Sequence, residues 1–120
     1  MNCLLTIYLH PNEPVEHILD REKKTIYSLG RKLDCDIVIS SLLVSKVHCT
    51  LTQSEDCWLI TDGVPLGEGS KNGTWINGQK IKATLQLNHQ DIITFGPEYP
   101  RAIFTEEIIE KELGTTAFER

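Results

Sequence analysis

Three short stretches of this chain carry side chains able to hold an anion. Residues 30–32 read Gly-Arg-Lys, residues 45–48 read Ser-Lys-Val-His and residues 70–73 read Ser-Lys-Asn-Gly. Arg31 offers a planar guanidinium that meets two phosphate oxygens with parallel bonds. The Ser45 hydroxyl and backbone N–H groups of a glycine-flanked loop suit a third oxygen, and Lys46 and Lys71 add charge, with Lys32 in support. Asn72 has both a donor and an acceptor, which suits a peptide main chain beside the phosphate. A phosphorylated side chain brings about −1.5 to −2 charges and three acceptor oxygens. Each hydrogen bond to such a charged group is worth roughly 1.5–3 kcal/mol. From the residues alone a simpler reading also stands: Arg31 and the lysines are solvated surface charges, and Asn72-Gly73 is a turn.

The background against which such a site would work is acidic. The formal charge is −5 over 120 residues, which argues against long-range attraction to nucleic acid or an anionic membrane. Much of the acidity lies in residues 105–120, where five glutamates face only Lys111 and Arg120, so the body is nearly balanced. The length suits one domain with one core. The start, MNCLLTIYLH, has no basic leader, and no stretch has the ~18 apolar residues of a membrane span. The four cysteines, at 3, 35, 49 and 57, form no CxxC pair. The expectation is a cytoplasmic protein with reduced cysteines, a disulfide being the rival reading.

The elements that must position the three stretches read as short strands. Apolar or alternating runs at 4–9, 15–19, 24–30, 36–39, 46–53, 57–62, 91–96 and 101–104 are separated by turn residues. In the run 46–53, Val47, Cys49 and Leu51 share one face, and His48, Thr50 and Thr52 the other. Asn77-Gly78, between Trp75-Ile76 and Gln79-Lys80, is the dipeptide of a two-residue hairpin turn. Residues 63–73, with four glycines and a proline, form a long irregular loop. Turn signals every ~8–12 residues point to an all-β sandwich or barrel. Residues 105–113, TEEIIEKEL, carry a capping threonine, two early glutamates and a following Gly114, the signals of a short C-terminal helix that Ile108 and Ile109 would dock on the body. If loops at one end of a sandwich gather, the three stretches meet there.

Other chemistries fit poorly. Ser45, His48 and Asp62 would be the members of a hydrolase triad, but no Gly-x-Ser-x-Gly elbow surrounds the serine. The histidines at 10, 17, 48 and 89 show no metal-ligand spacing. Trp58 and Trp75 sit in alternating strands and read as core before they read as stacking platforms.

In order, GRKLDCDIVI, VSKVH, ITDG, SKNGTWINGQKI and LNHQDIITFG resemble a forkhead-associated (FHA) domain over roughly residues 4–104. The resemblance implies an all-β, FHA-like β-sandwich of about eleven strands, here followed by the short helix, dividing the chain into a domain at 1–104 and a helix and tail at 105–120. It implies no enzyme and no cofactor or metal, but a signalling module that binds a phosphothreonine-containing protein in a Ser/Thr kinase pathway. Arg31 would contact the phosphate and Ser45 join it through its hydroxyl. Lys46 and Lys71 would add charge, and Asn72 would hold the peptide main chain. Gly30, His48 and Gly73 would be architectural. Lys71 stands where many members carry threonine or serine, which leaves phosphothreonine against phosphoserine preference open. It also leaves room for the alternative of a phosphate-independent protein-protein interaction or oligomerisation domain of the same fold. NHQD replaces the usual Gly-Asp turn before a late strand, a change expected to be neutral for function.

Overall fold

Alternation along the chain translates directly into a buried face. In β1 (Cys3–Tyr8), Cys3, Leu5 and Ile7 are buried while Leu4, Thr6 and Tyr8 are partly exposed. The computed structural model describes residues 3–106, and β1 is the first of eleven strands in two sheets. The others are β2 (Pro14–Leu19), β3 (Ile26–Gly30), β4 (Ile37–Val38), β5 (Cys49–Ser54), β6 (Cys57–Asp62), β7 (Trp75–Ile76), β8 (Gln79–Lys80), β9 (Leu85–Gln86), β10 (Ile92–Thr94) and β11 (Arg101–Thr105). One sheet runs β2-β1-β11-β10-β7-β8 and the other β4-β3-β5-β6-β9. All pairings are antiparallel except β3 with β4. The all-β sandwich expected from the turn spacing is therefore present.

Between the sheets lies one core, in which Trp58, Phe95 and Phe104 are the largest fully buried side chains. Tyr27 packs edge-on against Trp58 with ring centroids 5.6 Å apart, the geometry that suits the ring quadrupoles. Cys35 and Cys49 are buried free thiols and Cys57 a half-buried one, while Cys3 is buried in β1. The hairpin between β7 and β8 turns on Asn77 and Gly78, with φ of 50° and 86°, both positive as a type I′ turn requires.

Several boundaries differ from those expected. The strand expected from Lys46 begins only at Cys49, because the Ser45 and Lys46 carbonyls accept instead from the N–H groups of Arg31 and Lys32. His48 and Thr50, on the face opposite Cys49 and Leu51, are buried too, so this strand is covered on both sides. The run 36–39 contributes just two strand residues, which pair parallel with Leu29 and Gly30. A further strand, β9, pairs with Leu59 and Ile60. It is two exposed residues long, too short for any alternation to register. β11 ends at Thr105, opposite Leu4. Thr105, the expected capping residue, thus closes a strand, and the expected helix from residue 107 onward lies outside the described residues. Among the described residues there is no helix.

Candidate functional site

The loops that follow β3, β4 and β6 meet at one pole of the sandwich. Gly30 ends β3, and its backbone runs so close to the next loop that a β-carbon there would stand 2.1 Å from the Lys46 carbonyl oxygen. Only glycine permits that approach. It brings the Arg31 N–H to the Ser45 carbonyl at 3.0 Å and the Lys32 N–H to the Lys46 carbonyl at 3.2 Å. The third loop joins through side chains. The Lys71 N–H donates to Ser45 Oγ at 2.9 Å, and Asn72 Nδ2 donates to the Leu43 carbonyl at 2.9 Å.

His48 is the brace between these loops. It is fully buried, and Phe95 meets it edge-on with ring centroids 5.0 Å apart. Its Nδ1 accepts from the Ser45 N–H at 3.1 Å, so the ring proton sits on Nε2, which donates to the Gly73 carbonyl at 2.8 Å. Burial holds its pKa below the usual imidazole range, against the opposing pulls of the Gly73 carbonyl and the Asp62 carboxylate. The neutral ring therefore suits both bonds. Gly73 takes a φ of +86° as the chain turns toward β7.

Asp62, at the end of β6, organises the other side of the long loop. Its Oδ1 accepts from Ser70 Oγ and Thr74 Oγ1, each at 2.6 Å, and its Oδ2 from the Ser70 N–H at 2.9 Å. Burial alone would raise this carboxyl's pKa, but the Ser70 and Thr74 bonds outweigh it and hold the group below the usual carboxylate range. Ser70 Oγ in turn accepts from the Gly73 N–H at 2.9 Å. Sequence reasoning weighed Asp62 only as a triad member. Its spacing from Ser70 and Thr74 spans an irregular loop, so no periodicity could announce the contact.

The hydrolase triad is not assembled. Both ring nitrogens of His48 are bonded to main-chain groups, and the Ser45 hydroxyl faces the Lys71 N–H instead. Among the described residues no cluster of His, Cys, Asp and Glu is placed to hold a metal ion.

Arg31, Ser45, Lys46 and Lys71 line one open cavity of about 650 Å³, together with Val47, Val64, Glu68 and Gly69. Arg31, Ser45, Lys71 and Asn72 share the wall of an adjoining hollow of about 120 Å³. Arg31 Nε donates to the Val44 carbonyl at 3.0 Å, which fixes the side chain's stem, and the guanidinium has no carboxylate partner among the described residues. The amide oxygen of Asn72 likewise accepts no bond there, since only Nδ2 is used. Lys32 lies apart from the cavity: its Nζ is 3.6 Å from Asp34, which meets its charge locally. Three cationic side chains thus face a single acidic one, Glu68, in a chain whose formal charge is −5. Val64 and Glu68 were not anticipated, because a loop sequence carries no pattern that says which of its side chains turn inward.

Comparison with known proteins agrees with this architecture. The FHA domain family model matches residues 27–96. The solved structure of the Slr1951 protein from Synechocystis sp. superposes with a TM-score of 0.75 at 31% identity, covering 88% of this chain and 99% of that one. A chain solved in a structural and functional analysis of phosphothreonine-dependent FHA domain interactions superposes with a TM-score of 0.69 at 20% identity, covering 88% and 98%. The mouse (Mus musculus) proliferation marker protein Ki-67 is 37% identical over 65 residues, which are 54% of this chain and 2% of that protein. The chain spans from 2% to 12% of the length of the curated relatives it matches. The sandwich, the order of its loops and a family model covering more than half of the residues agree: the chain belongs to the FHA domain family.

Proposed function

We propose that this domain binds phosphothreonine-containing segments of partner proteins and so reads the output of a Ser/Thr kinase in the cytoplasm. The observation that carries this reading is the cavity that Arg31, Ser45, Lys46 and Lys71 line together, with no carboxylate on the Arg31 guanidinium among the described residues. Arg31 would take two phosphate oxygens in a bidentate grip. Ser45 Oγ already accepts from the Lys71 N–H, so its own proton is free to donate to a third oxygen. The free amide oxygen of Asn72 would accept a main-chain N–H of the peptide, while Nδ2 stays anchored to Leu43. Because loops rather than side-chain rearrangement hold these groups, little order has to be created on binding. The phosphate is held and not transferred. Gly30, His48 and Gly73 position the site without touching the ligand in this scheme.

The kinship with a chain studied for phosphothreonine-dependent FHA interactions supports the reading. Its test is a parallel calorimetric titration of one peptide sequence bearing phosphothreonine, phosphoserine or unmodified threonine. Binding of the phosphothreonine form with at least about tenfold preference over unmodified threonine is expected. Equal affinity for phosphorylated and unmodified peptides would overturn the reading in favour of a phosphate-independent interaction domain.

A further inference from the structure

We infer that Ser40 is a modification site, and that a phosphoryl group on its hydroxyl takes Arg31 of the same chain and closes the cavity to phosphopeptides. The masking rests on the phosphopeptide reading above; the contact between a Ser40 phosphate and Arg31 does not.

Backbone register puts the two residues side by side. β4 runs parallel to β3, with Leu29 opposite Ile37 and Gly30 opposite Val38. The Ile39 N–H extends the pairing by donating to the Gly30 carbonyl at 2.7 Å. Neighbouring strands lie only about 4.7–4.9 Å apart, so Arg31 and Ser40 leave the sheet together. Arg31, Ser40, Ser41 and Leu42 line a hollow of about 270 Å³, with no acidic side chain among the described residues that line it. The two serines differ. Ser41 is half-buried, and its Oγ accepts from the Leu43 N–H at 3.2 Å. Ser40 is exposed, and its hydroxyl has no hydrogen-bond partner among the described residues. The loop beyond it protrudes, Leu42 being 89% exposed. A Ser/Thr kinase therefore has access to Ser40 Oγ, which attacks the γ-phosphorus of ATP. The bond from that phosphorus to the β,γ-bridging oxygen breaks, ADP leaves and the hydroxyl proton passes to the kinase's base.

One guanidinium serves two spaces. Arg31 lines the hollow at Ser40 and also the larger cavity with Ser45, Lys46 and Lys71. Its Nε is given to the Val44 carbonyl, so the two terminal nitrogens are left to meet a phosphate, and one bidentate grip engages both. A phosphate tethered on Ser40 is held near Arg31 at high effective concentration, whereas a peptide must come from solution. Two phosphates, each carrying about −1.5 to −2 charges, also repel one another across a single guanidinium.

The experiment uses the full chain with phosphoserine installed during translation at 40, or at 54 as a control of equal charge at the end of β5 away from His48. Calorimetry with one phosphothreonine peptide should show at least about a tenfold loss of affinity for phosphoserine at 40 and less than about twofold for 54. Phosphorus NMR should show the second pKa of the Ser40 phosphate rising on Arg31→Ala, as loss of a cationic partner requires. The melting temperature should not fall, since Ser40 is exposed. A phosphate titration that Arg31→Ala leaves unmoved, a loss of affinity under about tenfold, or an equal loss from phosphoserine at 54 overturns this inference and leaves the phosphopeptide reading intact. An unmodified protein with no Arg31-dependent peptide binding overturns that reading and the masking with it, while the titration still decides whether Arg31 holds the Ser40 phosphate.

Discussion

The Nε2–H of His48 donates to the carbonyl of Gly73 across 2.8 Å and 25 residues of chain, while Nδ1 of the same ring accepts from the Ser45 N–H. One buried imidazole thereby sets the spacing between the loop that offers the serine hydroxyl and the loop that offers Asn72. Replacing it with alanine strands two main-chain groups and empties the space against Phe95. His48→Ala should lose about 3 kcal/mol of stability in urea unfolding, and phosphopeptide affinity should fall with it.

The same ring sets an acid limit. Burial keeps His48 neutral in the fold below its usual 6.5. The unfolded chain then takes up a proton that the folded chain does not, so stability falls as pH drops below about 6.5 and goes on falling toward the lowered folded value. Asp62 acts in a lower window. Its folded carboxyl stays ionised below the usual 3.8, so its contribution is present above that value and is lost as pH falls through the folded one. Binding should weaken in the upper window for a second reason, since the phosphate's second pKa lies near 6. Melting temperatures between about pH 7.5 and 5 should show the decline. His48→Asn, which cannot titrate, should lessen it, the remainder coming from His17, whose pKa burial also lowers, while leaving the ligand's own pH dependence in place.

Asp62 is expected to matter to binding without touching the ligand. Asp62→Ala removes the acceptor of three hydrogen bonds from Ser70 and Thr74. Stability should fall by about 2–3 kcal/mol. Hydrogen exchange of residues 63–73 should accelerate more than that of β1 or β11. Unchanged protection in this loop would show that Asp62 does not hold it.

Gln90 takes a φ of 70° in the turn before β10, where the family's usual Gly-Asp has its glycine. The Gln90 N–H still bonds the Phe104 carbonyl at 2.7 Å, and a main-chain donor survives substitution. Gln90→Gly should therefore raise stability by about 0.5–1 kcal/mol, relief of the left-handed strain outweighing the added chain freedom. Calorimetric melting checks the sign. Phosphopeptide affinity should not change.

How much of this was legible in the sequence depended on distance along the chain. The β7–β8 hairpin was readable because Asn77-Gly78 is a local demand for positive φ. The three stretches of cationic and polar residues were readable as residue types, but their meeting is a product of topology. The Lys71 N–H reaching Ser45 Oγ spans 26 residues. Neither the Asp62 hub nor the inward turn of Val64 has any local signature. Lys32 was grouped with the site by adjacency to Arg31, yet one residue along the chain reverses direction, and it meets Asp34 instead. The extra, short strand β9 exists only because β6 offers it an edge.

The most direct measurement is the affinity of wild type and Arg31→Ala for one phosphothreonine peptide, by isothermal titration calorimetry, with melting temperature as the control. Arg31→Ala gives up a single side-chain bond to the Val44 carbonyl, so stability should fall by only about 1 kcal/mol. Binding should weaken by at least about a hundredfold, as loss of a bidentate charged contact implies. A folded Arg31→Ala protein that binds the phosphopeptide as tightly as wild type would contradict the account.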